Sequence, residues 1–161
     1  MYLLYSDKRQ ISTTIIDTIS DLIYIENTKG GISMEISVGM KGEVSTLVER
    51  EDTAYEVGSG SLLVYATPCM VALMEGAACE AINDALPDNK TSVGVELAIS
   101  HLSATPVGLE VRAEAEVTAV EGNMITFCVS AFDESGKIGE GSHKRAVITT
   151  ERFLEKTYAK L

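Results

Sequence analysis

Between residues 109 and 120 apolar and polar side chains alternate: Leu109, Val111, Ala113, Ala115, Val117 and Ala119 interleave with Glu110, Arg112, Glu114, Glu116 and Thr118. A period of two with one apolar face predicts a half-buried β-strand. Three further stretches read the same way. Residues 92–102 precede it; residues 124–132 are nearly all apolar; residues 138–149 close the run. Gly122-Asn123 predicts a hairpin turn, and Glu134-Ser135-Gly136-Lys137 a second turn. Upstream, residues 42–48 carry Val44, Thr46 and Val48 on one face and predict a fifth strand.

The period changes in residues 65–84. Thr67-Pro68 is a helix start: Thr can cap the first free N–H groups, and Pro has no N–H to satisfy there. Cys69, Met70, Val71, Ala72, Leu73, Met74, Ala77 and Ala78 then make the segment apolar on every side, which predicts a buried helix. Pro87-Asp88-Asn89 turns the chain toward the strands. Ahead of the helix, residues 49–61 are polar, acidic and glycine-containing, and read either as a cover over a site or as a solvated connector. Residues 151–161 suggest a short closing helix.

The order is strand, long helix, then four strands on short turns. Short links imply antiparallel pairing, and a sheet with one apolar face needs a cover. The expected fold is α+β: a hotdog arrangement, with an antiparallel sheet of about five strands wrapped around one buried helix. Its free edges predict a homodimer joined edge to edge. The body is expected at residues 34–161. Residues 1–33 read as an N-terminal extension. Ile11, Ile15, Ile16, Ile19, Leu22 and Ile23 fall at helical spacing before a Lys29-Gly30-Gly31 linker, unless Met34 is the true start.

Composition narrows the function. A net charge of -11 over 161 residues argues against a nucleic-acid partner. No apolar run is long enough to cross a membrane, and the N-terminus lacks the order of a secretory signal, so a cytoplasmic protein is expected. Cys69, Cys79 and Cys128 have no metal-ligand or redox spacing and read as core thiols.

Five residues carry candidate chemistry. Glu75 is the one acid in the apolar helix, and a carboxylate there must be paired or protonated. It is a functional acid or a structural one. His101 ends a strand just before Ala104-Thr105-Pro106 and could act as an acid or base near neutral pH. Thr67 is the cap, and the helix start beside it suits a developing oxyanion. Gly94 interrupts a strand, which marks either a bulge or a close approach. Arg145 lies with His143 and Lys144 in the densest basic spot of an acidic chain, an anion contact or a solvated strand end.

Three motifs in this order, A-T-P-C-M-V-A-L-M-E, S-V-G-V-E-L-A-I-S-H-L-S-A-T-P-V-G and I-G-E-G-S-H-K-R-A-V-I, resemble the fluoroacetyl-CoA thioesterase-like family of hotdog thioesterases. The likeness spans roughly residues 38–153. It implies hydrolysis of an acyl-CoA thioester to a carboxylic acid and free CoA in a homodimer, with no cofactor beyond the CoA of the substrate. It also implies a catalytic set at Thr67, Glu75 and His101, a glycine near the thioester at Gly94, and a basic substrate-binding position at Arg145. One departure stands out. The family's fluoroacetyl-specific enzyme carries bulky aromatics before the helix as a lid, whereas residues 52–64 here hold Tyr55 as their single aromatic. The implied substrate is therefore a general or different acyl-CoA. Two other readings compete: a non-catalytic hotdog module that binds an acyl-CoA or related ligand, and a hotdog dehydratase or hydratase, which the Thr-Glu-His set disfavours.

Overall fold

The computed structural model describes residues 35–161; the expected helix and linker of residues 1–33 lie outside the described residues. Five strands form one antiparallel sheet: β1 (Lys41–Leu47), β2 (Lys90–His101), β3 (Glu110–Glu121), β4 (Met124–Asp133) and β5 (Gly136–Thr149). Their order across the sheet is β1-β3-β4-β5-β2, so β1 and β2 are the edges. Helix α1 (Thr67–Glu80) covers one face, and a short helix α2 (Thr150–Tyr158) follows β5. The α+β hotdog reading holds, with strand ends within two residues of those expected.

Each element follows from its pattern. On β3, Val111, Ala113, Ala115 and Val117 are buried toward α1 while the intervening polar residues face out. On β4, Ile125, Phe127, Val129 and Ala131 do the same. The β3–β4 hairpin turns at Gly122, whose φ of 63° is a conformation other residues avoid. Helix α1 buries Met70, Met74, Ala77 and Ala78, a stripe at i, i+4, i+7 and i+8.

Three expectations are corrected. First, α1 is not buried on all sides. It packs chiefly on β1 and β3, less on β4 and least on β2 and β5. Ala72 is exposed, and the β2–β5 half of the same face has little helix over it. Second, Thr67 is not the N-cap. Ala66 holds that position with extended backbone, Thr67 opens the helix and Pro68 follows, so the Thr67 hydroxyl is free to bond elsewhere. Third, the cysteines are free but not all in the core. Cys69 and Cys79 are half-buried, and Cys128 is exposed, because β4 turns alternate residues to solvent despite being apolar almost throughout.

Edge strand β2 carries Gly94 and His101. It pairs with β5 through a ladder that shifts register between Gly94 and Glu96, leaving Val95 as the bulged residue. Beyond the bulge, Leu97 lies opposite His143 and His101 opposite Gly139. Val95 and Leu97 are 52% and 42% exposed, high for apolar side chains on a sheet. Among the described residues, no helix is long and apolar enough to cross a membrane.

Candidate active site

Glu75 sits past the middle of α1, on the side turned toward β2 and β5. Its side chain is 35% exposed, so it is neither deeply buried nor unpaired. Oε1 accepts a hydrogen bond of 3.2 Å from Arg145 Nη1. Oε2 has no hydrogen-bond partner among the described residues. Gly94 explains why the carboxylate can lie where it does: a Cβ at that position would collide with Glu75 Oε1. The bulge reading of Gly94 holds, and what comes close to it is the Glu75 carboxylate of the same chain.

Arg145 is held from three sides. Its Nε donates to Ser92 Oγ at 2.8 Å and its Nη2 to the Ser92 carbonyl at 2.9 Å. Nη1 reaches both Glu75 Oε1 and His143 Nε2, the latter at 3.1 Å. The side chain is 7% exposed, so among the described residues this cation serves the carboxylate and is not a solvated strand end.

The tautomer of His143 follows from its partners. Nδ1 lies 2.9 Å from the Glu96 carbonyl, which can only accept, so Nδ1 carries the proton. Nε2 then accepts from Arg145. The 3.4 Å approach of Nε2 to Glu75 Oε1 is consequently not a hydrogen bond, since neither atom brings a proton. Burial lowers the His143 pKa most; the Glu96 carbonyl opposes it, the adjacent Arg145 charge lowers it further, and Glu75 opposes least. The ring also stacks on Phe127, with centroids 6.1 Å apart. It is a neutral, fixed acceptor.

A second group lies at the start of the same helix. Thr67 Oγ1 is 2.8 Å from His101 Nδ1. His101 Nε2 is buried without a hydrogen-bond partner among the described residues, so the ring has one nitrogen tied to Thr67 and one unsatisfied. The pair opens on a cleft of about 400 Å³ lined by Ala54, Tyr65, Thr67, His101, Ser103 and Ala104. Ala54 and Ser59, from the residues ahead of the helix, form part of its wall.

Each predicted residue therefore belongs to one of two constellations. Glu75, Gly94 and Arg145 meet at one; Thr67 and His101 meet at the other. Eight residues of α1 separate Thr67 from Glu75, a rise of roughly 12 Å. Sequence reasoning missed Ser92 and the inward role of His143. Both were signalled by period two: Ser92 is two residues before Gly94, His143 two before Arg145, and Gly94 pairs with Arg145. Lys144, between them, faces out and pairs with Glu96. Among the described residues, no group of three or more His, Cys, Asp or Glu is arranged to hold a metal ion.

Comparison with known proteins gives a consistent answer. Residues 48–151 match the family described as fluoroacetyl-CoA-specific thioesterase. The chain is 42% identical over 97 residues to the fluoroacetyl-CoA thioesterase of Streptantibioticus cattleyicolor, covering 60% of this chain and 70% of that one. A crystal structure of a mutant fluoroacetyl-CoA-specific thioesterase in complex with fluoroacetate and CoA is 35% identical with a TM-score of 0.70, covering 73% of this chain and 99% of that one. A hot-dog-like protein from Thermanaerovibrio acidaminovorans is 25% identical with a TM-score of 0.71, covering 78% and 93%.

Proposed function

The chain belongs to the fluoroacetyl-CoA-specific thioesterase family, and on that premise we propose that it hydrolyses an acyl-CoA thioester to a carboxylic acid and free CoA, using Thr67, Glu75 and His101. The observation that carries this reading is the pairing of Thr67 with His101 beside an open cleft, with His101 Nε2 left without a partner among the described residues. In a purely structural histidine a buried ring nitrogen would ordinarily be satisfied.

The chemistry divides among these groups. A thioester carbonyl placed over the start of α1 meets first-turn N–H groups that the helix leaves free, and the positive end of its dipole. Glu75 works through Oε2, because Arg145 occupies Oε1. That oxygen either attacks the carbonyl to give a mixed anhydride or takes a proton from attacking water. In both routes the C–S bond breaks, the carbonyl gains an oxygen from water, and the departing sulfur takes a proton, which His101 delivers. Thr67 holds the His101 ring in place. Gly94 leaves room for Glu75, and Arg145 orients it.

The roughly 12 Å between Thr67 and Glu75 on one helix supports a site shared between two chains. Strand β2 is a long free edge with exposed apolar residues at its centre. Antiparallel pairing of two copies about a two-fold axis between Leu97 and Ala98 sets Gly94 opposite His101 of the partner subunit. Glu75, which rests on Gly94, then approaches the partner's Thr67–His101 pair. The domain so assembled is residues 34–161, with residues 1–33 as an extension.

The test is release of free thiol from a panel of acyl-CoAs, acetyl and fluoroacetyl through long-chain and aromatic, by the natural chain and by Glu75→Gln. Hydrolysis of at least one member is expected, with loss of at least a thousandfold in the variant and an unchanged fold and assembly. Equal turnover by the variant would remove Glu75 from the mechanism. Binding of CoA esters without hydrolysis by either protein would make the chain a ligand-binding module.

A further inference from the structure

Residues 35–161 contain ten Lys and Arg residues. Six pair with a carboxylate, including Arg145 with Glu75, Lys144 with Glu96 and Arg112 with Glu43. The other four, Lys90, Arg152, Lys156 and Lys160, have no carboxylate within ion-pair distance among the described residues, and all lie at one corner of the sheet. Lys90 opens β2 opposite Thr149, the last residue of β5. Arg152 and Lys156 stand four residues apart on α2, one above the other, and Lys160 follows one turn later. Among the described residues of a chain with net charge -11, the unneutralised cations thus gather at one corner.

The corner also has a shape. A groove of about 350 Å³ runs between the end of β5 and α2, lined by Ile148, Thr149, Arg152, Phe153 and Lys156. Phe153 is 41% exposed within it. Glu151 and Glu155 occupy the neighbouring stripe of α2 and do not line the groove. An open aromatic face between an arginine and a lysine matches a phosphorylated purine: the ring stacks on Phe153 and the phosphates meet the cations. Position agrees with chemistry. Arg145, which touches Glu75, and Thr149 lie four residues apart on β5 and on the same face, about 13 Å along the strand. An extended pantetheine arm spans that distance.

We infer that this groove holds the 3′-phosphorylated ADP end of the acyl-CoA, on the subunit that supplies Glu75. The inference rests on the hydrolase reading above. It assigns Arg152, Phe153 and Lys156 to substrate binding, away from the reacting atoms.

The experiment compares two substrates of one acyl group: the CoA ester and the N-acetylcysteamine ester, which has the thioester but no nucleotide. In Arg152→Ala/Lys156→Ala, kcat/KM for the CoA ester is expected to fall at least tenfold, through KM, with the N-acetylcysteamine ester unaffected. In the natural chain, added salt should raise KM for the CoA ester alone. An equal effect on both substrates, or on neither, overturns the inference and leaves the hydrolase reading standing. If neither substrate is hydrolysed, the hydrolase reading falls, and titration with adenosine 3′,5′-bisphosphate still decides the groove: binding to the natural chain and at least tenfold weaker binding to the double variant sustain it, and equal binding or none overturns it.

Discussion

His143 gives its Nδ1 proton to a backbone carbonyl and offers its Nε2 lone pair to Arg145, which in turn occupies one oxygen of Glu75. The carboxylate is thereby made asymmetric, with one oxygen fixed and the other available. The sequence marked Glu75, Gly94 and Arg145 as separate candidates but not as neighbours, because the bulge at Val95 hides the register that brings them together. It also grouped His143 with Lys144 and Arg145 as one basic spot, an anion contact or a solvated strand end, without separating the faces on which they lie. Strand alternation sends Lys144 out and turns the other two inward. A neutral buried histidine has a measurable consequence. Its folded pKa lies below the 6.5 of an unperturbed ring. Between those two values the unfolded chain binds more protons than the folded one, so stability is complete above about pH 6.5 and declines as pH falls through that window. Denaturant midpoints measured from pH 7.5 downward should show that decline, and His143→Gln should flatten it. An equally steep decline in the variant would assign the effect to another group.

Strand β3 was the most legible element, because a half-buried antiparallel strand writes its burial directly into alternation. Helix α1 was legible in place and extent but not in orientation. Apolar residues on all its sides say nothing about which side meets the sheet, and the answer came from Met70, Met74, Ala77 and Ala78. The contact that fixes the helix lies at its far end. Gly42 on β1 passes so close to α1 that a Cβ there would collide with the Ala77 carbonyl and the Ala81 N–H. These are backbone atoms and cannot rotate away. Gly42→Ala is therefore expected to cost about 1–3 kcal/mol of stability, as overpacking does, and to lower the melting temperature, with turnover per folded molecule retained. An unchanged melting temperature would mean that β1 and α1 separate freely at this point.

The single chain presents one constellation at the start of α1 and the other past its middle, and neither alone completes the proposed reaction. The eight-residue spacing of Thr67 and Glu75 already writes the separation into the sequence, at roughly 12 Å of helix rise; which side of the helix meets the sheet was not legible there. If each site draws Glu75 from one chain and His101 from the other, two inactive variants should rescue each other. Glu75→Gln and His101→Ala, unfolded together and refolded in equal amounts, are expected to recover about a quarter of natural activity, because half the dimers are mixed and each holds one intact site. No recovery would assign all three residues to one chain. The lopsided seat of α1, heavy on β1 and β3 and light on β2 and β5, carries this further. If two copies pair through β2, the half-covered sheet of each leans on its neighbour, and dissociation and unfolding become one equilibrium governed by mass action. Its thermal midpoint then climbs with protein concentration, and the abundance of the protein sets how much of it is folded and armed.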